Sequence, residues 1–356
     1  MTMDRMQNHY DSAPRKTEAT SPAMAGFDAE FTDIVDYILR ITYRIWEGKQ
    51  IGLCYDYYSS DCPVYTMAGI TVGAEEVTQN TLTTLASFPD RTLGAENVIW
   101  GGNDIDGYHT SHLIKTSMTN LGASDMGPPS NKKTTFLVIA HCIVKDNIII
   151  EEWLVRDNYA LAEELGFDVH QVAMEKASAP IQQRLKDWNE SELLRVDKSV
   201  THERRPFLGS SSNDPEGFVA ALLQNVWNAR LLGDVFQSYS EDALLHCSRN
   251  QVLKGHEEIA AFYAQIIGTV TQLKFSYDYS CSIPNASGGT DVAVRWTIKG
   301  NHGGPGLYGE PTGTPLLILG ESQYRIIDGL IVEEWTVFDE LSILVQIYRA
   351  RLSITG

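Results

Sequence analysis

Two short segments carry the residues best suited to proton chemistry. Glu151-Glu-Trp-Leu-Val-Arg-Asp157 and Glu333-Glu-Trp-Thr-Val-Phe-Asp339 each mix carboxylates with Trp and Val. As strands, their period of two puts Glu333, Trp335, Val337 and Asp339 on one face, with Glu334, Thr336 and Phe338 on the other. Glu151, Trp153, Val155 and Asp157 share a face in the same way. A carboxylate beside Trp and Val loses hydration, and desolvation raises its pKa toward the range where it can take and return a proton near neutrality. Asp339 and Asp157 are therefore acid/base candidates. Each also stands where a strand ends and a helix begins, which is the place of an ordinary N-cap. The two readings predict opposite shifts, because a cap stabilises the anion.

A partner comes from Asp291-Val-Ala-Val-Arg-Trp-Thr-Ile-Lys-Gly-Asn-His302. Alternation there places Val292, Val294, Trp296, Ile298 and His302 on the apolar face. His302 can polarise a substrate carbonyl or shuttle a proton with the Asp; the plain alternative is a hydrogen-bonded core histidine. Tyr55, Tyr57 and Tyr58 with Trp46, and Phe236 and Tyr239 with Trp227, are candidates to line pockets, or simply core aromatics. His109 and His112 are three apart on a predicted strand, face opposite sides and do not chelate one metal. The chain has no H-E-x-x-H, G-x-S-x-G or Walker-type loop. Neither metal nor cofactor is expected.

The elements that position these residues are written twice. A shift of 181 or 182 residues lays Trp46 on Trp227, Tyr58 on Tyr239, Gly73-Ala-Glu-Glu76 on Gly255-His-Glu-Glu258, and Glu151–Asp157 on Glu333–Asp339. A repeat of about 140 residues is a domain, not a solenoid unit. The chain divides into a loose tail (1–25), a first unit (26–171), a partly helical linker (172–214) and a second unit (215–352). In the linker, Ile181, Leu185 and Trp188 recur at near-helical spacing. In the second unit, helical periodicity over 215–232 and from Gly255 gives way to four long period-two stretches, with Asp328-Gly329 as a hairpin signal. A final helix follows Asp339. Helices first and a long sheet afterwards predict an α+β unit whose helices cover a curved sheet and leave a cavity between.

Composition narrows the partners. With 46 acidic against 28 basic residues the formal charge is −18, which repels nucleic acid and anionic lipid surfaces. No apolar run approaches the ~20 residues that span a bilayer, and the N-terminal segment lacks the apolar stretch of a signal peptide. A cytoplasmic protein is expected. Five widely spaced cysteines, an odd number without a C-x-x-C pair, are expected to be reduced thiols.

Arg295-Trp-Thr-Ile-Lys-Gly-Asn-His-Gly-Gly304, Gly309-Glu-Pro-Thr-Gly313 and Tyr324-Arg-Ile-Ile-Asp-Gly-Leu-Ile-Val-Glu-Glu-Trp-Thr-Val-Phe-Asp-Glu-Leu341 resemble the SnoaL-like polyketide cyclases, or ester cyclases, of the nuclear-transport-factor-two-like superfamily. The first unit resembles them through Phe88-Pro-Asp90 and Glu151–Asp157. The resemblance implies tandem cone-shaped α+β barrels with deep apolar pockets. It implies metal-free intramolecular aldol closure, with Asp339 as general acid/base and His302 holding the enolate. Asn301 replaces the usual Thr before that His. At a shift of 181, Leu121 takes the place of His302 and Ile114 that of Arg295, leaving Asp157 and Trp153 in the first unit with His109 or His112 as substitutes. The expected function is a cofactor-independent cyclase or isomerase acting on an apolar, carbonyl-bearing small molecule. Trp335, Trp296, Trp153, His112, Trp227, Trp46 and Tyr239 are the candidate binding residues. The alternatives are a hydrolase or dehydratase in which the Asp activates water, and a non-catalytic binding protein. The resemblance also implies pairing of the two copies through their sheets, with a further homo-oligomer open.

Overall fold

The computed structural model describes residues 24–206 and 214–355. Nearly all of the expected tail, 1–23, and residues 207–213 of the linker lie outside the described residues.

The first unit begins with helix α1 (Ile34–Trp46), whose Ile34, Ile38, Ile41 and Ile45 recur every three or four residues and are buried. Asp33 caps it by accepting from the Asp36 amide. The short strands β1 (Pro63–Thr66) and β2 (Gly69–Val72) lead to helix α2 (Gly73–Ser87). Four long strands follow: β3 (Thr92–Asn103), β4 (Gly107–Thr119), β5 (Lys133–Lys145) and β6 (Ile148–Arg156). Helices α3 (Asn158–Glu164), α4 (Val169–Ser178) and α5 (Gln183–Ser199) complete the first half. The second half repeats the pattern with α6 (Pro215–Leu223), β7 (Tyr239–Cys247), β8 (Gln251–Lys254), α7 (Gly255–Thr269), β9 (Val270–Pro284), β10 (Thr290–His302), β11 (Pro315–Ile327), β12 (Leu330–Phe338) and α8 (Glu340–Thr355).

The two sheets have the same strand order, β2-β1-β6-β5-β4-β3 and β8-β7-β12-β11-β10-β9. The four long strands of each are antiparallel as expected. The short strand is not: β1 joins β6, and β7 joins β12, in parallel. Each sheet is therefore mixed, and it stays open at its edges, so the units are cones and not closed barrels. Bulges at Ala95/Asn97, Ile143/Val144, Arg295/Trp296 and Arg325/Ile326 bend the long strands around the helices. Asp328 and Gly329 both take positive φ, as a two-residue hairpin of the type I′ kind requires, and Asp146-Asn147 does the same in the first unit.

Strand parity differs from the sequence expectation. Glu334, Thr336 and Phe338 face the helices of the second cone, and Glu152, Leu154 and Arg156 those of the first. Trp335 and Val337, with Trp153 and Val155, face the other way and form a core between the two sheets together with Leu113, Ile139, Leu317 and Leu319. The sheets therefore pack back to back. Polar bonds cross the same seam, from Ser111 Oγ to Glu321 and from Gln323 Nε2 to the Ser111 carbonyl. Helix α5 straps both units: Trp188 stacks on Tyr65 at 5.3 Å, while Arg195 donates to Ser276 and Thr297. All five cysteines are free and buried. No helix among the described residues is long and apolar enough to cross a membrane.

Candidate functional site

The first cone encloses a cavity of about 460 Å³. Its wall is a ladder of rungs set by strand register. Glu152 pairs with Cys142, which pairs with Thr110; Leu154, Ala140 and His112 make the next rung; Arg156, Val138 and Ile114 the third. Period-two alternation aims all three rungs at the helices. Ile38, Ile41 and Ile45 of α1 close one side, and Thr81 and Thr84 of α2 another.

The charged groups stand at two levels. Glu152 is 6% exposed, and its Oε2 accepts a hydrogen bond from the Tyr58 hydroxyl at 2.9 Å. Burial pushes Glu152 up to about 7, opposed by that hydrogen bond and by the charge of Arg156. Burial also drives Tyr58 well above the usual phenol range, so it donates and stays neutral. Two rungs along, Arg156 enters the cavity, and Arg91 joins it beside the rung of Thr116. Arg91 Nε donates to Thr116 Oγ1 at 3.2 Å, and its guanidinium lies over the Trp46 ring at 4.5 Å. Burial and the neighbouring Arg156 charge push Arg91 down to about 9. Among the described residues no carboxylate lies within ion-pair distance of either arginine. Between the two levels, His112 is 3% exposed, is pushed down to about 4 by burial, and leaves Nε2 without a protein partner. A base, a neutral donor and two cations thus line one apolar hollow.

The same rungs in the second cone read Glu334-Tyr324-Val292, Thr336-Ser322-Val294 and Phe338-Gly320-Trp296. The register fixes the shift here at 182. Phe338 replaces Arg156, Tyr324 replaces Cys142, and Trp296 replaces Ile114; Tyr263 on α7 stands where α2 has Thr81. The larger rings pack against one another inside the cone. Trp227 stacks on Phe275 at 5.8 Å, and Trp296 reaches both Phe275 and Phe338. Gly320 is required beneath Trp296, because a Cβ there would come within 2.1 Å of the indole. Glu334 is 1% exposed and accepts from the hydroxyls of Tyr239, Tyr263 and Thr336.

The residues singled out from sequence are dispersed by this architecture. Of the candidate binding residues, Trp46 and His112 line the first-unit cavity. Trp227, Tyr239 and Trp296 are packed in the second cone, where Trp296 Nε1 donates to Ser322. Trp335 and Trp153 belong to the seam, where Trp335 stacks on His246 and the Arg295 guanidinium lies over Trp153. The parity of the strands is the cause of that displacement.

Asp157 and Asp339 are not among the cavity's lining residues. Asp157 caps α3 through the Ala160 amide and accepts from the Asn250 amide of the second unit. Asp339 accepts from the Ser342 amide in α8 and from Asn158 Nδ2 of the first unit. Each thus caps a helix and ties it to the sister unit. Burial still outweighs these bonds and pushes Asp157 up to about 7 and Asp339 up to about 6. The opposition expected between capping and an upward shift is therefore not realised: a sealed cap shows both.

His302 is buried at the end of β10, with Nδ1 in hydrogen-bond contact with Thr312 at 3.0 Å. No hydrogen bond joins it to Asp339 among the described residues. Its equivalent in the first unit by register is Asn120, one residue before the Leu121 of the simple shift, and that of Arg295 is Leu113. His109 and His112 do face opposite sides: His109 stacks on Tyr279 in the seam at 4.0 Å. Sequence reasoning missed Glu152, Arg91 and Arg156. Their signal was the alternate face of the same strand, together with the exchange of Arg156 for Phe338 between copies. No cluster of three or more His, Cys, Asp or Glu able to hold a metal occurs among the described residues.

Two open sheets of identical order, each wrapped on helices into a cone, define a tandem of the nuclear-transport-factor-two-like α+β fold. Residues 218–347, within the second unit, match the SnoaL-like polyketide cyclase family model. No curated protein matches the chain. Among solved structures, a SnoaL-like protein from Jannaschia sp. CCS1 is 18% identical over 41% of this chain and 96% of its own, with a TM-score of 0.35. IdmH from Streptomyces antibioticus is 20% identical over 37% and 98%, with a TM-score of 0.32. TsrD from Streptomyces laurentii is 14% identical over 37% and 94%, with a TM-score of 0.33.

Proposed function

We propose that this chain is a proton-transfer enzyme of the cyclase or isomerase type, that its working site is the first-unit cavity, and that Glu152 moves the proton. The observation that carries the reading is a buried carboxylate, raised to about 7 and held by Tyr58, facing an apolar hollow large enough for a small organic molecule. With a carbonyl compound bound, the Glu152 carboxylate takes a proton from the carbon beside the carbonyl. The C–H electron pair becomes an enolate, whose oxygen His112 Nε2 can receive as a neutral donor. In a cyclisation the enolate carbon bonds to a second carbonyl carbon of the same molecule, and the resulting alkoxide takes the proton back from Glu152. In an isomerisation the proton returns to a different carbon. Tyr58 is a positioning residue that fixes the carboxylate.

In this reading the second unit is the partner that packs against the first, its own cone carrying the rings of Trp227, Phe275, Trp296 and Phe338. Turnover of a panel of diketones and polyketide-like β-ketoesters by Glu152→Gln, Asp157→Asn and Asp339→Asn tests the assignment. Loss in the Glu152 variant alone is expected. Loss confined to the aspartate variants would return the chemistry to the seam, and binding by the native protein without turnover of any compound would favour a binding module.

A further inference from the structure

We infer that the ligand of the first-unit cavity carries a carboxylate, received by Arg91 and Arg156 at the end away from Glu152. This rests on the cavity being the working site and goes further by naming the substrate class: an apolar skeleton with a carbonyl at one end and a carboxylate at the other.

Three observations support it. First, the chain bears a formal charge of −18, yet its cavity gathers two guanidinium groups with no carboxylate of the described residues within ion-pair distance, the charges of Glu152, Asp125 and Asp339 acting on Arg156 only from further off. Arg91 is 5% exposed and spends one nitrogen on Thr116; Arg156 Nε is buried without a partner. A cation as buried as Arg91 with no carboxylate at ion-pair distance is costly, and the charge of the half-buried Arg156 beside it adds to that cost. An incoming anion removes both penalties and meets planar, bidentate donors suited to a carboxylate. Second, the second cone has Phe338 in place of Arg156 on the same rung, so the arginine belongs to the first-unit cavity and not to the fold. Third, the spacing sets a length. Glu152 and Arg156 are four residues apart on one strand, roughly 13 Å between Cα atoms, and the wall between them is Leu154, Ala140 and Ile114, with His112 as its one polar side chain. A ligand spanning it needs an apolar middle.

The test uses the full chain and matched pairs of a carboxylate and its amide: benzoate, 2-naphthoate, 6-phenylhexanoate and decanoate. Binding is read by calorimetry and by quenching of Trp46, in the native protein, Arg91→Gln, Arg156→Gln and Glu152→Gln. At least one acid should bind about tenfold or more tightly than its amide. Either arginine substitution should abolish most of that preference, and Glu152→Gln should keep it. Equal binding of every pair, no binding by any acid, or a preference that survives both arginine substitutions overturns the inference. Should an arginine variant fail to fold, the native comparison of acid with amide still decides. Because the readout is binding, a result against the carboxylate leaves the Glu152 chemistry standing, and loss of that chemistry leaves the binding preference measurable.

Discussion

Glu152 and Glu334 occupy the same position on the same strand of two copies of one sheet, and Glu152 lines the first-unit cavity while Glu334 is enclosed by three hydroxyls. Tyr58 holds the first; Tyr239, Tyr263 and Thr336 enclose the second. The two environments differ by ring size at a few facing positions, Tyr324 standing where the first unit has Cys142 and Tyr263 where it has Thr81.

If Glu152 is the base, kcat/KM should rise with pH along an acid limb near 7 and level off above it, because the deprotonated carboxylate does the work. Glu152→Gln should lower kcat by about 10²–10⁴-fold and remove that limb. Rate measurements from pH 5 to 9 on both proteins check this.

Placing in the first cone a ring that the second cone carries should silence it. Thr81→Tyr places on α2 the residue that α7 has at Tyr263, and should abolish binding and turnover while circular dichroism and the unfolding profile remain native-like. Retained activity in a folded Thr81→Tyr protein would place the chemistry elsewhere.

Asp157 and Asp339 should report on stability. Asp157→Ala loses a helix cap and a link to Asn250, with an expected cost of about 1–2 kcal/mol in denaturant unfolding. Asp157→Asn keeps an acceptor but does not titrate. A folded-state pKa of about 7, above the ordinary 3.8, means the native state holds this proton more tightly. The resulting stabilisation is full below about 3.8 and is lost as pH rises through 7. The melting temperature of the native protein should therefore gain on that of Asp157→Asn between pH 8 and pH 5.

The seam should be fragile to loss of Glu321. This carboxylate is fully buried, accepts from Ser111 and lies 3.3 Å from His141 Nδ1. Glu321→Leu leaves both without that partner, an expected loss of about 1–3 kcal/mol for the stranded groups. Chemical denaturation monitored by tryptophan fluorescence measures it.

The repeat, the four long strands and the Asp328-Gly329 hairpin were legible in the sequence because each follows from periodicity or from one residue's backbone preference. Which face of β6 and β12 meets the helices was not. Both faces alternate regularly, and the Trp and Val side chains suit a seam between sheets as well as a pocket. Trp153 and Trp335 went to the seam because a back-to-back pair of sheets needs apolar outer faces too. The parallel entry of β1 and β7 was hidden for another reason: a four-residue pairing leaves no pattern of its own. Arg156 reads as a surface residue until its rung is seen to point inward beside Arg91.

The most direct measurement is hydrogen exchange into a small bound ketone. With a naphthyl diketone in deuterated buffer near pH 8, nuclear magnetic resonance should show deuterium entering the carbon beside the carbonyl at an enzyme-dependent rate. Glu152→Gln should reduce that rate to the uncatalysed level, and Asp157→Asn should leave it intact. Native-rate exchange by the Glu152 variant, or its loss in the Asp157 variant alone, contradicts the account.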